Sequence, residues 1–222
     1  FTLNPSVNSA GMGNVGIANA EVKNVFHNPA FAGLRESHQE VSYVEWLPNL
    51  TDDMGYQSIL ITSDMGWSSE IFYFNYGTQV QSDQYGVVLG DFESSSYRVS
   101  GGYGFGFNDW LVGARLNLYS HNFIDDYSID MNYGFDIGAY KEFGNTSLGL
   151  VLKDVGGETE FLSQKLNLPM SVGVGVGHKF GNFTLASDVK FYEDYNSIGL
   201  GGQYDLGIAS LKLGYYTESE FD

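Results

Sequence analysis

The feature that most constrains this chain is an alternation of apolar residues with glycine or polar residues, which recurs between Ser96 and Tyr216. The clearest stretch sets Met131, Tyr133, Phe135, Ile137 and Ala139 on one parity against Asn132, Gly134, Asp136, Gly138 and Tyr140 on the other. Period two is the repeat of a β-strand, whose successive side chains point to opposite faces of a sheet. Strands of this length with one apolar and one polar face, joined by hairpins, are typical of a transmembrane β-barrel.

Composition favours one barrel over several alternatives. No Pro-, Ser- or charge-rich linker divides the 222 residues, so we predict a single barrel domain over residues 35–222, preceded by a separate segment, 1–34. Many of the 29 glycines fall inside the predicted strands, where a soluble β-sandwich, the main alternative, would rarely place them. The absence of cysteine excludes disulfides and thiolate metal sites.

The pattern predicts eleven strands and two unequal rims. The predicted strands are 39–47, 54–62, 70–78, 96–107, 110–119, 127–142, 146–153, 169–180, 183–190, 197–205 and 210–216. The tight turns fall at every second connection and are Asn108-Asp109, Gly144-Asn145, Gly181-Asn182 and 205–209. The longer connections are 79–95, 120–126, 154–168 and 191–196. We call the two sides the short-turn rim and the long-loop rim, which in outer-membrane barrels are periplasmic and extracellular. Bacterial barrels have even strand numbers, so the count of eleven predicts either that closing strands are missing or that one strand, at 85–89, is overlooked.

Acidic residues concentrate on the long-loop rim. They are Asp52, Asp53, Asp83, Asp91, Glu93, Asp125, Asp126, Glu158, Glu160, Glu193, Asp194, Glu218 and Glu220. With a net charge of −17, such a face disfavours nucleic acid as a partner. Solvation of exposed loops explains the acids better than metal binding does, and we predict no metal site.

Parity also predicts a polar lumen. Its candidate residues are Arg98, Arg115, Asp130, Asp136 and Lys153, which would be costly in hydrocarbon. If the Gly144-Asn145 turn centres its hairpin, Asp136 lies opposite Lys153, and Arg115 falls beside Asp130 or Asn132. Such pairs either brace the lumen or form a polar conduit or ligand site, and both interpretations stay open. Aromatic residues near strand ends, among them Trp46 and Trp110, are predicted to lie at the membrane interfaces.

The first 34 residues do not alternate and are predicted to fold into the lumen. The candidate motif residues of this segment are Gly11, Met12, Gly13, Asn28, Pro29 and Ala30. The glycine spacing imitates a dinucleotide fingerprint, but no strand precedes it and no βαβ unit follows, so that interpretation is weak. Asn28 and Pro29 are typical of a turn that ends such a segment.

Several stretches resemble one known family. They are SAGMGNVGIA at 9–18, NPA at 28–30, VSYVEWL at 41–47, LGLVLKDVG at 148–156 and LP at 168–169. These runs are similar to those of the PorV/PorQ family, relatives of the FadL long-chain fatty-acid transporters. The resemblance implies a FadL-like antiparallel barrel of 12 to 14 strands in the bacterial outer membrane, with its N-terminal segment folded as a hatch in the lumen.

Three functions follow as alternatives. The PorV members of the family imply a non-enzymatic, protein-binding shuttle of type IX secretion, which engages the translocon or secreted cargo and contacts membrane lipid. FadL relatives imply transport of hydrophobic small molecules, with an apolar pocket beside the hatch. An enzyme is the least favoured class: His121 lies near Asp125 and Asp126 in sequence, but no Gly-x-Ser-x-Gly motif occurs. We therefore predict no catalytic residues and no cofactor.

Overall fold

The computed structural model describes residues 3–19, 21, 24–47, 53–122, 128–161 and 164–220. Side chains are described for all of these except 128–130, 158–161, 164–166 and 220. Within these ranges the protein is all-β, and eleven strands form one sheet in which each strand pairs antiparallel with its neighbours. The predicted fold class is confirmed at this level.

Several strands, above all β3 and β4, extend further than the alternation predicts, whereas β1 and β10 are shorter. The bounds are β1 His38–Glu45, β2 Met54–Thr62, β3 Trp67–Ser82, β4 Val88–Phe107, β5 Trp110–Asn122, β6 Ser128–Phe143, β7 Thr146–Gly156, β8 Glu158–Phe161, β9 Gln164–Asn167, β10 Ser171–Phe180, β11 Phe183–Phe191, β12 Tyr195–Asp205 and β13 Ser210–Glu220. Strands β8 and β9 form a separate hairpin between β7 and β10. The described helices are α1, Val7–Ala10, and a 3₁₀ helix, Pro29–Leu34.

Two predicted loops are wrong in part. The 79–95 connection is mostly a continuation of the β3–β4 hairpin, paired out to Ser82 and Val88, so no separate strand lies at 85–89. A register shift between the Asn75 and Thr78 pairs, with Gly77 at φ 75°, interrupts the alternation and hides this continuation. The 154–168 connection likewise contains the end of β7 and the β8–β9 hairpin.

The tight turns form as predicted, for a local reason. Asn108 and Asp109 have φ values of 46° and 64°, the two positive values that a type I′ hairpin requires. Gly144 and Gly181 take φ values of 62° and 61° at the first central position of their turns, a conformation that glycine adopts without strain. These residues set the direction of each hairpin and hence the short-turn rim.

The sheet curls around the N-terminal segment. Its outward rows are apolar and exposed, as in β10, where Val172, Val174 and Val176 are 46%, 43% and 43% exposed. Its inward rows are mostly small or polar, with a few buried aromatic residues, and they cover the segment, in which Met12 and Ile17 have no exposed surface. The largest cluster of buried apolar side chains therefore lies inside the curled sheet.

The two edge strands meet α1 rather than each other. No hydrogen-bonded ladder joins β1 to β13 in the part of the chain that is described. Ser6, the N-cap of α1, donates to Glu40 of β1 at 2.6 Å, and Lys212 of β13 donates to the Asn8 side chain. The sheet is thus barrel-like, while the expectation of 12 to 14 strands stays a prediction.

Among the described residues, no helix is long and apolar enough to cross a membrane.

Candidate functional site

Glycines at inward strand positions receive the backbone of the N-terminal segment. A Cβ atom added at Gly104, Gly113, Gly149 or Gly214 would overlap backbone atoms of Gly33, Pro29, Ile17 or Gly13, respectively. Backbone cannot yield as a flexible side chain can, so these positions accept glycine alone. These inward glycines therefore fit one specific plug, which we define as residues 3–19, 21 and 24–34.

The predicted motif residues fix the shape of this plug. Asn28 is fully buried and caps the 3₁₀ helix by accepting from the Ala30 amide at 3.0 Å. Its amide nitrogen donates to the carbonyls of Ile17 at 2.8 Å and Ala139 at 3.1 Å, which joins two parts of the plug to strand β6. Pro29 opens the helix, where a missing N–H costs nothing.

The remaining motif residues lie at the β12–β13 side. Met12 is fully buried against Gly201, and Gly13, at φ 69°, packs on the backbone of Leu200 and Tyr215. Gly11 is exposed at the C-cap of α1, in a helical conformation that any residue adopts.

Asp188 anchors the middle of the plug, and nothing in the sequence around it indicates this role. Its Oδ2 accepts the backbone N–H groups of Gly16 at 2.7 Å and Ile17 at 2.9 Å. Lys190, on the same face of β11, donates to the Asn14 carbonyl at 3.3 Å. A carboxylate that accepts two amides holds the chain at one point. Parity places Asp188 inward, but only the folded chain brings it to residues more than 170 positions away.

A buried ionic cluster lies beside the plug. Arg98 donates a hydrogen bond to one carboxylate oxygen of Glu70 at 2.6 Å, and Arg115 donates to the other at 2.6 Å. All three side chains are at most 4% exposed. The Arg98 guanidinium lies 4.5 Å from the Phe26 ring of the plug. Arg115 also donates a hydrogen bond to the Ser100 hydroxyl at 2.9 Å. Sequence reasoning missed Glu70, although it shares the parity of the buried residues Phe72 and Phe74.

The predicted ion pair between Asp136 and Lys153 does not form. Lys153 places its ammonium 3.6 Å from the Phe26 ring centroid, and Asp136 accepts the Asp154 amide at 2.9 Å. Asp154, at φ 55°, forms a bulge opposite Asp136, so the cross-strand positions agree with the predicted hairpin while the side chains find other partners.

Arg115 lies opposite Asp136, not beside Asp130 or Asn132. Strand β5 runs three residues further than predicted and β6 begins one residue later, so the two strands pair in a register displaced by several residues from the predicted one. Asp130 belongs to β6, but its side chain lies outside the described part of the structure.

A cavity of about 470 Å³ opens between the plug and the long-loop rim. Its walls are largely aromatic and carry Trp46, Tyr56, Tyr192, Tyr195, Tyr216 and Glu218. Its floor is the plug, through Asn14, Phe26 and His27. We call this cavity the vestibule. A smaller, more polar cavity of about 220 Å³ lies at the short-turn rim, beside Asn19 and Tyr140.

The two predicted interface tryptophans lie in different environments. Trp110 begins β5 at the short-turn rim, and the Lys141 ammonium lies 5.6 Å from its ring. Trp46 instead packs 6.3 Å from the ring of Tyr56 and 6.4 Å from that of Phe74, both of which face inward. Trp46 therefore lines the vestibule, and its predicted position at a membrane interface stays a prediction.

Acidification is expected to loosen the plug through His27. Burial, together with the nearby charges of Lys190 and Lys153, holds the pKa of His27 well below its usual value near 6.5. His27 binds a proton more readily when the plug has left the sheet than when it is in place. The free energy that holds the plug in place therefore falls as the pH drops below 6.5, by up to about 1.4 kcal/mol per pH unit. Amide exchange of residues 12–18 at pH 8 and pH 5 measures this.

The control is His27→Gln, which keeps a polar group near Ser9, the partner of the ring Nε2 at 2.8 Å, but does not titrate. Its exchange rates, corrected for intrinsic chemistry, are expected to lose the pH dependence. Equal acid responses of wild type and variant would assign the effect to other groups.

No known protein family and no curated protein matches this chain. The resemblance to the PorV/PorQ family therefore stays a prediction from the sequence.

Proposed function

We propose that this chain forms the wall and plug of a bacterial outer-membrane barrel of the PorV type, which binds a protein partner of type IX secretion at its long-loop rim. The observation that carries the proposal is the filled interior. A plug held by buried glycine contacts, by Asp188 and by the cap at Asn28 favours a binding surface over an open conduit. The exposed apolar outward rows are what a lipid-facing wall requires.

The long-loop rim offers the surface for a partner. The β3–β4 hairpin extends beyond the Thr78–Glu93 pair. The β8–β9 hairpin belongs to the connection from β7 to β10. Val80, Tyr85 and Leu89 on the first hairpin are 60%, 83% and 62% exposed. Apolar side chains at a rim of otherwise acidic character suit a protein interface with an apolar centre and a charged border.

Truncation of the β3–β4 hairpin tests the proposal. Residues 80–91 are replaced by Asn-Gly, which closes a two-residue turn on the paired positions Gln79 and Phe92. We expect a secretion component or secreted cargo to co-purify with the wild-type protein from native outer membranes and to be lost with the truncation.

The matched control keeps the hairpin length and changes only Gln84 and Gly86 in its tip to serine and asparagine. Retention of the partner by the truncated protein and the control alike would contradict the proposal for this hairpin. Capture of lipid alone would contradict the protein-binding role.

A second candidate function is transport of hydrophobic small molecules. The vestibule favours it, because a cavity of about 470 Å³ with aromatic walls has the size and lining of small-molecule sites. Uptake of a fluorescent fatty acid into vesicles that contain the protein, abolished by Tyr56→Asp in the wall, is the expected result for this alternative. Absence of uptake together with partner capture would leave the protein-binding role.

A further inference from the structure

One wall of the vestibule is a cluster of tyrosines around a carboxylate. The rings of Tyr192 and Tyr195 stack with centroids 4.3 Å apart and planes at 11°. The Tyr216 hydroxyl donates to the Glu218 carboxylate at 2.6 Å. All four residues line the same cavity. We call them the tyrosine cage.

The backbone holds the cage in place. Tyr192 lies in the turn between β11 and β12, and its N–H donates to the Tyr195 carbonyl at 2.9 Å. Tyr195 and Glu218 lie on adjacent paired strands near the long-loop rim, because Tyr195 pairs with Glu220. The side chains are thus gathered before any ligand arrives, which lowers the entropy that binding would cost.

The chemistry of the cage suits a cation. The face of a tyrosine ring carries negative electrostatic potential and attracts ammonium and guanidinium groups. Glu218 adds a formal charge at the same cavity, and the acids of the long-loop rim raise the local concentration of cationic ligands. Burial and the neighbouring Tyr195 and Tyr216 raise the pKa of Tyr192, so its ring stays neutral at physiological pH.

Among the described residues that line the vestibule, one carries an ammonium group, and that group has another partner. Lys190 lines the vestibule, but its ammonium donates to the Asn14 carbonyl of the plug at 3.3 Å. A fatty acid would bring its own carboxylate next to Glu218 and the acidic rim, an arrangement that like charges disfavour. The cage therefore discriminates against anionic amphiphiles and in favour of cationic groups.

We infer that the tyrosine cage binds an arginine side chain presented by an extended segment of the protein partner. The inference rests on the proposed protein-binding function and names the group that the vestibule selects. Arginine fits better than lysine, because a planar guanidinium can lie flat on a tyrosine ring while it bonds a carboxylate with its edge. The partner segment enters from the long-loop rim, where the vestibule opens.

Two peptides of equal shape test the inference. The probes are N-acetyl-Gly-Arg-Gly-amide and the same peptide with citrulline, which replaces the guanidinium by a neutral urea. Binding to the purified full chain in detergent is measured by isothermal titration. We expect the arginine peptide to bind at least about tenfold more tightly, and Tyr195→Leu and Glu218→Gln each to weaken it by about two- to thirtyfold without changing citrulline binding.

Matched control variants change the same residue types elsewhere. Tyr204→Leu alters an outward tyrosine at the short-turn end of the same strand, and Glu93→Gln removes an exposed carboxylate from another hairpin. Both are expected to keep the preference for arginine. Equal affinity for the two peptides, or loss of binding in the controls as well, would overturn the inference.

The outcomes also separate this inference from the proposed function. Partner capture by the wild type together with equal binding of both peptides rejects the cage and leaves the protein-binding role. Arginine-selective binding without any captured protein supports the cage as a cation site and rejects its protein source. Displacement of the arginine peptide by palmitate at equal concentration would favour a lipid ligand and overturn the inference.

Discussion

Replacement of Glu70 by glutamine is expected to be among the most destabilising single changes in this protein, at about 3–5 kcal/mol. Glu70 is the shared partner of Arg98 and Arg115, and each guanidinium lies 2.6 Å from a different carboxylate oxygen. Without the carboxylate, both guanidinium groups stay buried within the sheet and lose the negative charge that each of them bonds at 2.6 Å. The barrel-like sheet next to the plug would then open or admit water.

The measurement is the urea midpoint for unfolding from lipid vesicles, read from the heat-modifiable mobility of the folded protein in gels. Glu93→Gln removes the same charge at an exposed position and is expected to shift the midpoint very little. A triple change of Glu70, Arg98 and Arg115 to methionine removes all the charges and is expected to recover much of the loss. If Glu70→Gln leaves the midpoint within the range of Glu93→Gln, the cluster does not hold the wall together.

Replacement of Gly104 by valine is expected to displace the plug. A Cβ at this position would overlap the Gly33 amide nitrogen and lie 3.0 Å from the Ala32 carbonyl carbon, so the contact is with backbone. Overpacking of this kind costs about 1–3 kcal/mol when the neighbours can adjust, and here the 3₁₀ helix must move away. We expect faster amide exchange and proteolysis in residues 24–34, with higher single-channel conductance in planar bilayers.

Gly101→Val is the matched control, since Gly101 lies outward on the same strand and a Cβ there would meet nothing within 4 Å. Valine favours strands and adds apolar surface to an apolar face, so the control is expected to keep the plug closed. Equal conductance of the two variants would mean that the plug does not block the interior.

The sequence predicts the sheet well because its signals are local. Period two places Val172, Val174 and Val176 outward without any knowledge of their neighbours. The positive φ values at Asn108 and Asp109 follow from residue types that tolerate them. All eleven strands of the sheet could therefore be found, although the bulges near Gly77 and Asp154 hid where some strands end.

The candidate site is predicted less well because its contacts are distant in sequence. Parity places Arg98 and Arg115 inward but cannot show that both converge on Glu70, two strands away from Arg115. A one-position bulge redirects Asp136 to the Asp154 amide. Trp46 follows the end of β1, where no strand parity fixes its side, and it turns into the vestibule.

The amino-acid sequence alone determined the strands, the tight turns, the acidic rim and the rows of glycine, because each depends on backbone preference or on period two. Only the tertiary structure decided what the glycines are for. Gly149 and Gly214 are on β7 and β13, yet both make room for the plug, whose path is set by contacts such as the one from Asp188 to Gly16. Contacts of that kind depend on the curl of the whole sheet, and no local pattern encodes it.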